Sequence, residues 1–153
     1  MRILSIHADK IHYKAKMKTK AAEPTETIED FMEQCMVFFS CIEKLDEANP
    51  NRVVEKAKDS IIKRLGQVKE KDLMIFPYAH LAISLSSPEV ALNILKGLES
   101  ALREKGFNVK RAPFGWHKEF ELKAKGHPMT ELYIEISPYD VSEDLLWLAV
   151  ALF

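Results

Sequence analysis

The sequence predicts one α/β domain in which a mixed β-sheet carries two main helices. Two amphipathic segments each begin with a capping residue followed by proline, and a short apolar run, L-M-I-F, separates them. Predicted strands flank this pair, so the element order is β-β-β-α-β-α-β-β-β. Because two helices around one short buried strand indicate crossover connections, both helices belong to the same sheet. The 153 residues suit a single domain with its own core.

The N-terminal third of the chain is predicted to contain three strands. Arg2–Ala8 is typical of a buried strand, and Ile11–Lys18 alternates apolar side chains with lysine or histidine. The dipeptide Asp9-Lys10 between these runs predicts a hairpin. A third strand is predicted from about Cys35 to Ile42, after a polar loop.

The outer face of the second predicted strand is basic. Its lysines and those at its ends are Lys10, Lys14, Lys16, Lys18 and Lys20. Such a row can contact nucleic-acid phosphates, and it equally suits an edge strand whose lysines oppose aggregation. The net charge of −1 gives no overall field toward nucleic acid, so such contact would depend on a local patch.

Both helices have clear start signals. Asn49 is a predicted N-cap with Pro50 at the first helical position, and Ser87 and Pro88 repeat this arrangement. Gly106 is predicted to end the second helix. The apolar positions have helical spacing. They are Val54, Ala57, Ile61, Leu65 and Val68 in the first helix and Ala91, Ile94, Leu95, Leu98 and Leu102 in the second.

Three more strands and an apolar tail complete the chain. The strands are predicted over Phe107–Arg111, His117–Lys123 and Leu132–Ile136. We assign residues 1–137 to the domain, and residues 138–153 to a tail that is either helical or a linker to a following domain. Its run L-L-W-L-A-V-A-L-F is too short to span a bilayer, and it requires burial in this chain or in a partner.

The cysteines and the N-terminus favour a protein of the reducing cytoplasm. On one strand, Cys35 and Cys41 share a face about 20 Å apart, too far for a disulfide between them. The first residues, M-R-I-L-S-I-H, read as a strand and not as a secretory signal. The histidines and cysteines show no spacing typical of a zinc site, so no zinc is predicted.

Three titratable side chains lie near the predicted ends of strands: His80 after a strand, Lys118 at the start of one, and Glu131 after a turn. His80, in P-Y-A-H-L, follows the strand Leu73–Phe76, where open α/β sheets bind ligands; a backbone hydrogen bond that closes the strand is an equally good interpretation. Lys118, in A-P-F-G-W-H-K, offers a cation for an anionic or carbonyl oxygen, or is a solvated strand lysine. Glu131 follows the turn K-G-H-P as an acid, a base or an ammonium binder, or as an exposed glutamate.

Four motifs occur in a specific order along the chain: I-L-S-I-H-A-D, F-P-Y-A-H-L, R-E-K-G-F-N-V-K-R-A-P-F-G-W-H-K-x-F and K-G-H-P-x-x-E-L. Over roughly Met1–Leu132 the chain resembles the archaeal N-terminal editing domain of threonyl-tRNA synthetase. The resemblance implies a D-aminoacyl-tRNA deacylase-like fold, a homodimer, and hydrolysis of L-serine wrongly attached to tRNA(Thr). It implies no metal and no organic cofactor.

The resemblance also implies which residues form the site. His80 and Lys118 would be catalytic, with Lys118 holding the attacking water or the ester carbonyl, and Glu131 would bind the substrate's α-amino group. The pocket would be shaped by Ala79, Phe114, Gly115, Trp116 and His117. The implied partners are the 3′-terminal adenosine and acceptor stem of an aminoacylated tRNA, a second copy of the chain, and a synthetase catalytic domain in cis or in trans, but no membrane.

The sequence departs from the family pattern at three positions near this site. His117 replaces a common tyrosine, and its imidazole would titrate near neutral pH. Glu119 replaces a small residue and Ala124 replaces a common cysteine. Two other functions stay open. One is D-aminoacyl-tRNA deacylation, although the Gly-Pro and Ser-Gln motifs of bacterial and eukaryotic deacylases are lacking. The other is a non-catalytic tRNA-binding or dimerisation module.

Overall fold

A computed structural model describes residues 1–139, and the predicted C-terminal helix lies outside them. The described part holds six strands, two α-helices and two short 3-10 helices. In chain order they are β1 (Arg2–Lys18), β2 (Glu29–Cys41), a 3-10 helix (Lys44–Ala48), α1 (Pro50–Val68), β3 (Asp72–Pro77), a 3-10 helix (Ala79–Leu81), α2 (Pro88–Glu104), β4 (Asn108–Arg111), β5 (Trp116–Ala124) and β6 (Glu131–Glu135).

The strands form one mixed sheet, as predicted. Its order is β4-β3-β2-β1-β5, and β6 also pairs with β1. β2 and β4 both run parallel to β3, whereas the pairs that β1 makes are antiparallel. α1 connects β2 to β3 and α2 connects β3 to β4, so both helices are the predicted crossovers. None of the helices in the described part is long and apolar enough to cross a membrane.

The predicted helix starts are confirmed. The Asn49 side chain accepts a hydrogen bond from the backbone N–H of Arg52 at 3.2 Å, and Ser87 does the same for Val90 at 3.3 Å. These caps satisfy N–H groups that have no partner within the helix. Gly106 has a φ of 91° just after α2 ends, a conformation that glycine adopts without a steric cost.

The predicted hairpin at Asp9-Lys10 is wrong, because β1 is a single long strand. β6 pairs with its first half and β5 with its second half, end to end along the same side. The pairing with β5 shifts register between Ala8 and Lys10, so this position is a bulge and not a turn. Beside it, the backbone N–H of His7 donates to Thr130 and its carbonyl accepts from Lys125.

The sheet is strongly curled. Leu4 pairs with Phe39 on β2, and Tyr13 pairs with Phe120 on β5. Leu4 and Tyr13 are nine positions apart, which is about 30 Å along a straight strand. The ring centroids of Phe39 and Phe120 nevertheless lie only 5.8 Å apart, so β1 must bend strongly between Leu4 and Tyr13. On β2 the bend coincides with Gln34, whose φ is 46°.

Each face of the sheet buries its own core. Successive residues of a strand point to opposite faces, so Phe38 packs under α1 and α2 while Val37 and Phe39 line the concave face. The predicted apolar stripes of both helices cover the first face, although Val53 is more deeply buried than the predicted Val54. Aromatic rings fill the concave face, where Phe39 and Phe76 are 5.1 Å apart.

The basic face of β1 does not belong to an edge strand, which was one of its two interpretations. β1 lies inside the sheet, so it is not an edge strand. Carboxylates on both neighbouring strands alternate with its lysines: Lys14 faces Glu29 and Glu119 across the sheet. His12 Nε2 lies 2.8 Å from a carboxylate oxygen of Glu29. Lys16 is likewise 3.5 Å from a carboxylate oxygen of Glu119, whereas Lys18 lies over the ring of Trp116.

Candidate functional site

A cavity of about 590 Å³ opens at the carboxyl ends of β2 and β3. Ser40 and Cys41 contribute to it from β2, and Pro77 contributes from β3. The first turns of α2 form an apolar side through Ala91 and Leu95. Ligands of open α/β sheets bind at this end of the strands, and the volume is that of a typical small-molecule site.

Seven of the eight residues that the resemblance implies line this cavity. They are Ala79, His80, Phe114, Gly115, Trp116, His117 and Lys118. They come from two segments of the chain that the curl of the sheet brings face to face. The eighth, Glu131, is not among the lining residues. It begins β6, pairs with Ile6, and is exposed.

Lys118 enters the cavity from β5 without a carboxylate partner among residues 1–139. Its Nζ donates a hydrogen bond to the carbonyl of Trp116 at 3.1 Å and lies 5.4 Å from the ring centroid of Phe76. Burial lowers the pKa of Lys118 to about 8. The Glu23 carboxylate acts to raise this pKa, and the Arg111 guanidinium adds to the lowering. The result is a cation that is poorly solvated and free to bind a ligand oxygen.

His80 also lines the cavity, from the short helix that follows β3. Its ring packs edge-on against Tyr78, with centroids 5.0 Å apart. Within residues 1–139 neither ring nitrogen makes a hydrogen bond, so the interpretation that His80 closes the strand is not supported. An exposed imidazole with both nitrogens free can donate to or accept from a ligand.

One wall of the cavity consists of Phe114–Trp116, which lead from β4 into the start of β5. The conformation of this wall depends on a glycine. Gly115 has a φ of 78°, and a Cβ added to it would lie 2.4 Å from the carbonyl oxygen of Ala21. The Gly115 carbonyl accepts from both the N–H and the hydroxyl of Thr19, at 2.9 and 2.6 Å. The backbone can approach this closely only because residue 115 has no side chain.

Sequence reasoning missed the loop between β1 and β2, which supports this wall. The Glu23 carboxylate accepts from the backbone N–H of Phe114 at 2.7 Å, and the indole N–H of Trp116 donates to the Glu23 carbonyl at 3.0 Å. These contacts join residues about ninety positions apart in the chain. No local pattern in the sequence marks such a pair. The apolar side made by α2 was also missed, because its residues were interpreted as core.

The K-G-H-P turn lies outside the cavity and has a structural role. His127 Nε2 is 2.8 Å from His7 Nδ1, and His7 Nε2 is 2.8 Å from a Glu70 oxygen. The N–H of Met129 donates to His127 Nδ1, so both nitrogens of His127 are engaged. This chain of contacts fastens the turn to β1. Among the described residues, no group of His, Cys, Asp or Glu is arranged to hold a metal ion.

Comparison with solved structures shows the class of fold. The chain matches the c-Myc DNA unwinding element binding protein with a TM-score of 0.66 and 10% identity, over 89% of this chain and 99% of the other. At this identity the likeness concerns the fold alone. The shared fold is a single α/β domain with a mixed sheet and two helices.

Comparison with families and with curated proteins is more specific. The archaea-specific editing domain of threonyl-tRNA synthetase matches residues 1–136, and the chain belongs to this family. Threonine–tRNA ligases of Methanococcus aeolicus and Methanocaldococcus jannaschii are 44% and 46% identical over 137 and 132 residues. These matches cover 90% and 86% of this chain but only 22% and 21% of the ligases. The chain thus spans about a fifth of these relatives.

Proposed function

We propose that this domain hydrolyses the aminoacyl ester of L-seryl-tRNA(Thr), a threonine tRNA that carries the wrong amino acid. The observation that carries the proposal is that His80 and Lys118 line one cavity that is large enough for an aminoacyl-adenosine. The family of the chain supports the editing role. The 3′-terminal adenosine would occupy the cavity, while the acceptor stem would remain outside.

The chemistry of the two amino acids explains why such a site is needed. Serine lacks only the methyl group of threonine, and a binding pocket gains only about 1–3 kcal/mol from a difference of this size. A synthetic site that accepts threonine therefore also admits serine. A second site that is too small for the methyl group removes the smaller product, which is the double-sieve principle.

Hydrolysis requires a positioned water and stabilisation of the developing oxyanion. The water oxygen attacks the ester carbonyl, the bond to the ribose oxygen breaks, and the released ribose hydroxyl takes up a proton. Lys118 would bind the carbonyl oxygen or the water as a cation. His80 would also contact the substrate. The 2′-hydroxyl of the terminal adenosine would assist the water.

Glu131 has a role in this proposal only through a second copy of the chain. It does not line the cavity of its own chain, and β6 presents it to solvent. The family resemblance implies that its carboxylate binds the substrate's α-amino group. For this role Glu131 would have to enter the cavity of a partner, and the proposal therefore includes a homodimer.

The proposed function is tested with three substrates. The protein is incubated in catalytic amounts with L-Ser-tRNA(Thr), L-Thr-tRNA(Thr) and D-Tyr-tRNA, and loss of each aminoacyl group is followed beside a protein-free control. We expect rapid loss of serine while threonine is spared. Preferred loss of D-tyrosine would instead show a deacylase for D-amino acids. Turnover of none of the three, with retained binding, would show a binding module.

A further inference from the structure

A buried charged network lies directly behind the wall Phe114–Trp116. Arg111, at the end of β4, contacts both carboxylate oxygens of Glu23 and lies 3.2 Å from a carboxylate oxygen of Glu99 on α2. The exposed fractions of these side chains are only 10%, 9% and 15%. Removing charges from water is costly unless they are paired, so an apolar cluster would serve stability as well. The position of the network suggests another use.

Glu23 is hydrogen-bonded to the wall through three of its groups. Its carboxylate accepts from the N–H of Phe114 at 2.7 Å. Its own N–H donates to the Phe114 carbonyl at 3.0 Å, and its carbonyl accepts from the indole of Trp116 at 3.0 Å. Phe114 and Gly115 lie between β4 and β5, and Trp116 is the first residue of β5, where it pairs with Lys18. The bonds from Glu23 and Thr19 therefore hold the part of the wall that precedes the strand.

The same contacts extend to Lys118. Trp116, which donates to Glu23 through its indole, accepts from Lys118 Nζ through its carbonyl at 3.1 Å. A displacement of Glu23 would therefore move the wall and the ammonium group together. A misplacement of about 1 Å in a catalytic site can cost on the order of a hundredfold in rate.

We propose that Glu23, held by Arg111, is a positioning residue of the cavity that fixes the wall Phe114–Trp116 and, through Trp116, the place of the Lys118 ammonium group. This proposal rests on the proposed function for its effect on catalysis. Its structural part, the attachment of the wall, does not depend on any activity.

The network also acts on Lys118 through its charges. The Glu23 carboxylate raises the pKa of Lys118 and the Arg111 guanidinium lowers it. The other titratable groups that face Lys118 from the cavity lining are Cys41, Tyr78, His80 and His117. Removal of the carboxylate in Glu23→Gln should therefore lower the pKa of Lys118, and Arg111→Met should raise it.

The first experiment compares Glu23→Gln with Glu99→Gln. Both variants lose one carboxylate that pairs with Arg111, but only Glu23 contacts the wall. Deacylation of L-Ser-tRNA(Thr) should show kcat/KM about tenfold lower for Glu23→Gln and within about twofold of the unchanged protein for Glu99→Gln. Equal losses in the two variants would overturn the proposal.

The second experiment needs no activity, so it separates failure of this proposal from failure of the proposed function. Hydrogen exchange of the Trp116 indole N–H is measured by NMR in a Trp147→Phe background, which leaves Trp116 as the one tryptophan. Exchange should become about tenfold faster with Glu23→Gln and stay unchanged with Glu99→Gln. Equal exchange in both would overturn the proposal whether or not the protein deacylates tRNA.

A third variant tests the attachment of the wall without changing the buried charged network. Thr19→Val removes an exposed hydroxyl that donates to the Gly115 carbonyl and accepts from the N–H of Ala21, while the backbone N–H of Thr19 keeps its own bond to Gly115. We expect indole exchange to become about threefold faster, because the same wall loses one of its bonds. Unchanged exchange would overturn the claim that these contacts determine the position of the wall.

Discussion

At the scale of single residues, Lys118 combines a cost in stability with its proposed role as the cation that binds a substrate oxygen. Its ammonium group is held among aromatic rings without a carboxylate partner in the described part of the chain, and its pKa is lowered to about 8. A native-state pKa below that of the unfolded chain means that the folded protein binds the proton less well. The protonated form thus destabilises the fold, as is common for groups kept for function.

This cost should be visible when Lys118 is replaced by methionine, which keeps the length of the side chain without the charge. Near pH 7 the wild-type lysine is protonated in both the folded and the unfolded protein. Replacing it removes a buried cation from the folded protein, so the free energy of unfolding should rise by about 1–3 kcal/mol. The exposed Lys123→Met on the same strand should change it little. Urea unfolding of both variants measures this.

The pH dependence of stability gives the sign of the same effect. As pH rises from about 8 towards the lysine's ordinary pKa of 10.5, the native state releases the proton before the unfolded state does. Wild-type stability should therefore rise relative to Lys118→Met over this range, and the difference between the two proteins should shrink. A difference that is constant with pH would contradict the lowered pKa.

Deacylation activity should fall over the pH range in which stability rises. If Lys118 binds the carbonyl oxygen as a cation, deacylation corrected for the protein-free rate should fall as pH rises through about 8. Initial rates on L-Ser-tRNA(Thr) across neutral and mildly alkaline pH test this. A corrected rate that rises through the same range would show that the neutral amine is the active form.

At the scale of elements, the wall Phe114–Trp116 requires Gly115. Gly115→Ala would place a Cβ against the Ala21 carbonyl at a residue with positive φ. We expect a loss of about 1–3 kcal/mol in the free energy of unfolding and weaker deacylation, since the wall must move. Gly126→Ala is the matched control, because nothing lies within 4 Å of its added Cβ. Equal effects of the two changes would contradict this role.

The accuracy of the sequence predictions also differs between elements for physical reasons. α1 and α2 were predicted closely because their caps and apolar periods are local signals. β1 was wrongly divided, because its bulge arises from pairing with β5 and β6 far along the chain. β2 begins at Glu29, earlier than predicted, since its first residues are mostly exposed and lack an apolar pattern.

The residues of the candidate site also differ in how well the sequence predicts them. Lys118 and His80 carry enough signal in their motifs to be singled out, and the structure places both at one cavity. Glu23 lies in a polar loop without a motif, and its proposed positioning role depends on contacts with Phe114 and Trp116. Such a residue becomes visible only when the tertiary structure is known.

At the scale of the whole molecule, the position of Glu131 predicts an arrangement between two copies. If Glu131 serves a partner's cavity, a mixture of Lys118→Met with Glu131→Gln should recover activity that neither variant has alone. Random pairing makes half of the dimers mixed, and each mixed dimer holds one intact site of two, so about a quarter of wild-type activity is expected. No recovery would show that Glu131 acts within its own chain or not at all.

The measurement that tests the central claim most directly is deacylation of L-Ser-tRNA(Thr) by Lys118→Met beside Lys123→Met. Both changes remove one positive charge from β5, but only Lys118 lines the cavity. If the cavity is the editing site, Lys118→Met loses activity by at least about a hundredfold while Lys123→Met stays within about twofold of wild type. Equal rates for the two variants would contradict the account and place the chemistry elsewhere.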